Sequence, residues 1–226
     1  MDAAFWQTLG LTFQLAAITT IILLVVSIPL AYYLAHTSSR IKPILEAFIS
    51  MPLVLPPTVL GFYLLILLSP ENAIGGWILE TFDLRLVFSF AGLVLGSIIY
   101  SLPFMVHPIQ SGFEHLPSNY SEAAYTLGKS RLETLLKVLL PNIKSALLTG
   151  IVLSFAHTVG EFGVVLMIGG NIPNQTKVAS IAIYDEVEGL NYAVANQYAF
   201  ILFVFSFIIL LIVYLVNRHG LRMKKF

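Results

Sequence analysis

Five apolar stretches, each long enough to cross a bilayer, are separated by polar segments that hold almost all of the charge. A helix rises 1.5 Å per residue, so about 20 apolar residues cover a hydrocarbon core of about 30 Å. The stretches fall near 9–34, 44–68, 86–109, 143–168 and 198–216. The expected fold is an all-α polytopic membrane protein with about five transmembrane helices, residues 1–226 forming one domain without a soluble module, linker or repeat. Composition agrees: 58% of residues are hydrophobic and 11% charged, with mean hydropathy +0.87, against roughly a quarter charged in soluble domains. The first stretch carries no formal charge between Asp2 and Arg40. It is too long for a signal-peptide core and lacks a small-residue cleavage site, so it is expected to remain as a helix.

Twelve basic and twelve acidic residues cancel, so no net field points to nucleic acid. The absence of cysteine excludes disulfides, thiolate metal sites and thiol catalysis. Basic residues are retained on the cytoplasmic side during insertion. With the N-terminus outside, the inner segments hold Arg40, Lys42, Lys129, Arg131, Lys137, Lys144, Arg218, Arg222, Lys224 and Lys225, leaving Arg85 and Lys177 outside. That asymmetry puts the C-terminus in the cytoplasm, with loops 110–142 inside and 169–197 outside.

The inner loop carries its own punctuation. Asn119 with Glu122 resembles a capping box, and Gly128 is suited to a left-handed helix end. Ser130 with Glu133 is a second capping box; Leu132, Leu135, Leu136 and Leu139 follow at helical spacing, and Pro141 limits the run. Two short helices joined at a glycine, with small Ala123 and Ala124 presented on the first, form a knob suited to a groove on a soluble partner. An amphipathic interfacial hairpin is the plain alternative. Gly128-Lys129-Ser130 is not the end of a phosphate-binding loop, because Ala123 stands where that loop has glycine and no strand precedes it.

Glu122-Ala123-Ala124, Gly128, nine further residues and Val138-Leu139-Leu140-Pro141 resemble the signature loop of ABC importer permeases, with Val138 in place of the usual isoleucine. The resemblance implies a type I permease fold in which residues 119–141 form the coupling loop and Glu122, Ala123, Ala124 and Gly128 dock a separate ATPase. ATP would bind only that partner, and this chain would hold no cofactor and no metal.

The second stretch contains Pro52, Pro56 and Pro57. Each proline removes an amide donor, and lipid does not tolerate the uncovered break. A half-helix is expected to begin near Pro57, with Thr58 and free amides giving a mildly positive end that attracts an anion; a kink used for packing is the alternative. The fourth stretch holds Ser154, His157, Thr158 and Gly160-Glu161-Phe162-Gly163. An ionisable group at the depth of Glu161 is a functional candidate, either protonated and donating or ionised and bonded to amides across a gate. Pro56, Pro57, Thr58, Thr158 and Glu161 are therefore the translocation-pathway candidates. Ser154 and His157 would suit an intramembrane hydrolase only with a third group to orient the histidine. Gly92 and Gly96 permit close helix approach, and Trp6 and Trp77 suit the bilayer interface.

Residues 52–65 resemble the second-span motif of molybdate permeases, as do Gly160–Gly163, Asn171-Ile172-Pro173 and Gln175-Thr176; Asn174 stands where those permeases often have glycine. Sulfate permeases share the Gly-Glu-Phe-Gly region but are longer. The resemblance implies an inner-membrane homodimer working with two ATPase subunits, an extracytoplasmic oxyanion-binding protein and membrane lipid, importing molybdate or tungstate. A sulfate permease and an ATP-independent channel or carrier are the alternatives.

Overall fold

The computed structural model describes residues 3–222, all of whose regular structure is helical. Lys224 and Lys225, which contribute to the charge asymmetry, lie outside the described residues, as does Asp2.

Three helices are long and apolar enough to cross a membrane unaided: α1 (Ala3–His36), α5 (Phe90–Glu114) and residues Tyr192–Ile212 of α12 (Tyr192–Arg222). Two bent pairs, Lys42–Val54 with Pro57–Leu68 and Arg131–Asn142 with Lys144–Gly160, bring the number to five when each counts as one span. The expected second span is α2 (Lys42–Val54) followed by α3 (Pro57–Leu68), bent by 113° at Leu55 and Pro56. Pro57 occupies the first turn of α3, where its missing amide costs no hydrogen bond. The half-helix expected there is present.

The fourth span departs from expectation. In place of one helix over 143–168, α9 (Lys144–Gly160) ends at Glu161 and Phe162, and a short helix α10 (Gly163–Gly169) follows. Glu161 is extended, with φ −66° and ψ 132°. Such a break persists in lipid only if its backbone groups are taken up. The Glu161 amide donates to Thr158 O, its carbonyl accepts from Ser180 Oγ at 2.5 Å, and the Leu166 amide donates to Phe162 O.

Helices α1, α5 and α9 pack as a central bundle, and α3 and α10 pack together on its flank. At one end Leu23, Leu34, Met105, Ile109 and Ile143 form the largest cluster; at the other, Leu64, Leu68, Val164 and Ile168 lock α3 to α10. Gly92 and Gly96 admit α10, since a Cβ on Gly96 would lie 2.7 Å from Ile168 Cδ1. The segment 169–197 is not wholly a surface loop. Its α11 (Ala179–Glu188) buries Ala179, Ile181 and Ala182, and the Ala179 amide donates to Thr12 Oγ1 at 2.8 Å. Helix α4 (Ala73–Phe82) folds back over the end of α3.

Between α5 and α9 the chain forms α6 (Asn119–Thr126), α7 (Arg131–Thr134), a wide π turn over Leu135–Leu139 and α8 (Leu140–Asn142). The expected single amphipathic helix is corrected here. The π turn advances the chain by an extra residue, so Leu139 is buried while Leu132 and Leu136 face outward. The chain then bends by 79° into α9.

Candidate functional site

The two helix breaks meet. A cleft of about 410 Å³ is lined by Pro57 and Thr58 from the start of α3, Tyr100 from α5, and His157, Gly160, Glu161 and Gly163 from the α9–α10 break. Gly163 makes the meeting possible, because a Cβ there would lie 2.7 Å from Pro57 Cβ and 3.2 Å from both Pro57 C and Thr58 N. Three of the pathway candidates, Pro57, Thr58 and Glu161, thus share one cleft. Pro56 is exposed and does not line it. Thr158 is buried behind the wall, donating to Ser154 O at 2.9 Å and sharing a hydrogen bond with Ser101 Oγ at 3.1 Å.

Glu161 is 3% exposed, and neither carboxyl oxygen has a hydrogen-bond partner. The Ser97 hydroxyl, also unpartnered, faces it. Among the described residues no backbone amide reaches the carboxyl group, so the alternative of an ionised group bonded to amides finds no geometric support. The positive end expected at α3 is smaller than foreseen. Val59 and Leu60 amides turn back onto Pro56 O and Pro57 has none, which leaves Thr58 N as the free first-turn donor.

The hydrolase alternative finds no geometric support. Ser154 Oγ is buried without a partner, and His157 Nδ1 pairs with Ser101 Oγ at 2.9 Å. The imidazole stacks on Phe104 at 4.0 Å, which fills its environment with packing contacts.

The loop between α5 and α9 forms the second candidate site. Gly128 adopts φ +76°, and the Lys129 and Gly128 amides close onto Ala124 O and Tyr125 O at 3.0 and 2.9 Å, the paired bonds of a Schellman end. The Ser130–Glu133 capping box is present. The Asn119 box is not: Ser118 already has helical backbone angles and makes no side-chain cap, which puts Asn119 inside the helix. Lys137 Nζ bonds the Glu133 carboxyl at 3.0 Å, and with the Ser130 amide and Lys129 it holds that group below the usual glutamate range.

Glu122 and Ala123 are exposed, whereas Ala124 packs inward at 5% exposure. Adjacent helical residues lie about 100° apart, so both alanines cannot occupy one outer face. Leu127, Tyr120 and Tyr125 are exposed beside them. Tyr125 also reaches the Tyr32 side chain on α1, and Tyr32 in turn meets the Phe113 ring of α5 at 5.5 Å. The knob is tied to the bundle through these rings.

The model for the binding-protein-dependent transport system inner membrane component matches residues 27–221. The chain belongs to this family. Among its relatives, the molybdenum transport system permease protein ModB of Azotobacter vinelandii is 47% identical over 209 residues, covering 92% of each chain. The sulfate transport system permease protein CysT of Escherichia coli (strain K12) is 35% identical over 75% of this chain and 61% of its own length. Solved structures share the fold at low identity. A bacterial ABC transporter importing alginate superposes with TM-score 0.76 at 16% identity, covering 100% of this chain and 82% of its own. The MetNI methionine ABC transporter superposes with TM-score 0.67 at 16% identity, covering 97% and 99%.

In this family member, Asn174 has φ +64°, a left-handed conformation open to glycine and tolerated by asparagine. The replacement noted from the sequence therefore leaves the turn intact. Thr176 organises that turn, donating to Gly169 O at 2.7 Å and accepting from the Ile172 amide at 2.9 Å. Asn171 Nδ2 donates to Asp185, which also pairs with Lys177. Sequence reasoning missed Ser97, Tyr100, Ser101 and Ser180. The spacing of Ser97 and Ser101 one turn apart inside an apolar stretch was the available signal.

Proposed function

We propose that this chain is the permease subunit of an ATP-driven importer for an oxyanion of the molybdate class, the ATP being hydrolysed by a separate subunit. The observation that carries this is the 47% identity to ModB along 92% of both chains. Sulfate is the second substrate reading, favoured by the CysT relatives; of the length of those from Salmonella typhimurium and Escherichia coli the chain spans 61%.

Two copies of the chain would form the membrane unit, beneath an extracytoplasmic binding protein and above two ATPase subunits. The N-terminus lies outside and the C-terminus in the cytoplasm. Support for a second copy comes from the α2–α3 break. Its exposed flank includes Val54, Pro56 and Tyr63, and a broken backbone at membrane depth needs protein or water over it. Glu122, Ala123 and Gly128 form the docking surface, with Ala124 as its packed base. Closure of the ATPases would press on α6, and Tyr125 would pass the load to Tyr32 and Phe113 of the bundle. That movement would shift α9 and α10 against α3 and so open or shut the cleft at Glu161.

The cleft offers few donors, which suits a path that must release what it receives. ATPase stimulation in the reconstituted complex with its binding protein, measured for molybdate, tungstate and sulfate in turn, tests the assignment. Stimulation by molybdate or tungstate is expected. Stimulation by sulfate alone would move the chain to the second reading.

A further inference from the structure

A cavity of about 580 Å³ lies where α3, α4 and the segment entering α5 converge. Leu65, Ile66, Val87 and Phe88 supply an apolar wall, and Glu71 and Arg85 supply opposite charges. These two do not form an ion pair with each other or with any described residue. Lys177, the other cation expected on this side of the membrane, is already taken by Asp185.

Helix α4 fixes where the cavity sits. Asn72 caps it by accepting from the Ile74 amide at 3.2 Å. At Gly75 a Cβ would lie 2.2 Å from Ser69 O and 2.4 Å from Leu68 O, so only glycine lets α4 lie directly across the end of α3. Pinned this way, the helix turns Ile74, Trp77 and Phe82 outward, the last two rings meeting edge-on at 5.7 Å. A short amphipathic helix with an exposed indole lies in the plane of the bilayer interface. That orientation would put the cavity at headgroup depth, with the exposed side of Ile66 leading down α3 toward the acyl region.

A ligand for this place has an apolar body, one anionic and one cationic group. A phosphate suits the planar guanidinium fork of Arg85. A primary ammonium suits Glu71, because it donates hydrogen bonds that a quaternary ammonium lacks. An anionic headgroup without an amine would leave Glu71 unanswered, with Glu80 and Asp83 on the same segment. We propose that this cavity binds the headgroup of phosphatidylethanolamine, its phosphate on Arg85 and its ammonium on Glu71. The bound lipid would steady α4 and hence the outer end of α3. The proposal does not depend on the transported substrate.

The test uses the full chain in nanodiscs holding equal parts of phosphatidylethanolamine, phosphatidylcholine and phosphatidylglycerol, with retained lipids read by native mass spectrometry. Phosphatidylethanolamine is expected to be retained about fivefold over each of the other two lipids, the scale of one net hydrogen bond. Arg85→Ala should abolish the enrichment and Arg85→Lys restore part of it, while Glu71→Gln should leave phosphatidylethanolamine and phosphatidylcholine retained equally. Both side chains are at the surface, so each variant should fold; unchanged thermal unfolding checks this. Equal retention of all three lipids, preference for phosphatidylglycerol, or enrichment that survives Arg85→Ala would overturn the proposal. So would displacement of the lipid by soluble phosphoethanolamine, which would make the site one for a free solute.

Discussion

Replacing Gly163 by alanine tests the contact on which the cleft depends. The added Cβ would sit 2.7 Å from Pro57 Cβ, 0.7 Å short of the 3.4 Å at which ordinary contact begins, and 3.2 Å from the Pro57 and Thr58 backbone. Backbone cannot rotate aside as a side-chain end does. Sliding α3 along α10 gives no relief either, since Gly61 already brings α3 against Met167 Cβ and Val164 Cα, at 2.8 and 3.1 Å from its own virtual Cβ. Overpacking of this kind costs about 1–3 kcal/mol. At roughly 2–4 °C per kcal/mol for a chain of this size, the middle of that range lowers the unfolding midpoint by about 4–8 °C. Gly160→Ala is the control: nothing lies within 4 Å of its virtual Cβ, and alanine in a helix gains about 0.5–1 kcal/mol over glycine. Thermal unfolding of the purified variants, followed by tryptophan fluorescence, measures both. Equal stability of Gly163→Ala and wild type, or equal losses in the two variants, would refute the close approach of α3 and α10.

Three other outcomes are expected. Glu122→Arg should abolish stimulation of the partner ATPase while leaving thermal unfolding unchanged, and unaltered transport would remove residues 119–130 from the coupling role. Glu161→Gln keeps the shape of a carboxyl group that meets no cation and no amide, so uptake into proteoliposomes should stay within about threefold of wild type. Glu161→Lys, which buries a charge at membrane depth, should abolish uptake, and a folded but inactive glutamine variant would mean that transport uses the carboxylate. Because Lys137, the Ser130 amide and Lys129 lower the Glu133 pKa below its ordinary 4.5, the capping contribution to α7 is full above that value. It is lost as pH falls through the lower folded value. Protection of the α7 first-turn amides, taken relative to the unstructured-chain exchange rate at each pH, should fall only below about pH 4.5, and a loss of protection near neutrality would contradict the capping box.

The consecutive residues of the chain carry most of the architecture. Span lengths follow from uninterrupted apolar runs, and the start of α3 follows from Pro57, because proline chemistry is local. Gly128, Ser130 and Glu133 announce their helix ends for the same reason: a cap joins residues within one turn. Even the close contact of α5 was signalled by Gly92 and Gly96, although not what would fill it. Local signals failed where a distant group altered the balance. Hydropathy alone continues the fourth span through Glu161, yet the chain breaks there, and Ser180, nineteen residues on, supplies a donor to the freed carbonyl. The π turn at Leu135–Leu139 likewise defeats a helical periodicity that looked regular in the sequence.

Apolar length and cap chemistry, written in neighbouring residues, fix a membrane-embedded helical chain with a capped two-helix knob. Which interruptions meet is a matter of tertiary packing. Pro57 and Gly163 are far apart in the chain and their contact rests on the absence of one methyl group, a complementarity of surfaces that no local pattern encodes. The same packing set Glu161 in the cleft facing the Ser97 hydroxyl rather than a cation or an amide, and turned Ala124 inward while Ala123 faced out. A side chain's company depends on how whole helices cross, and that is settled by the sum of contacts along them.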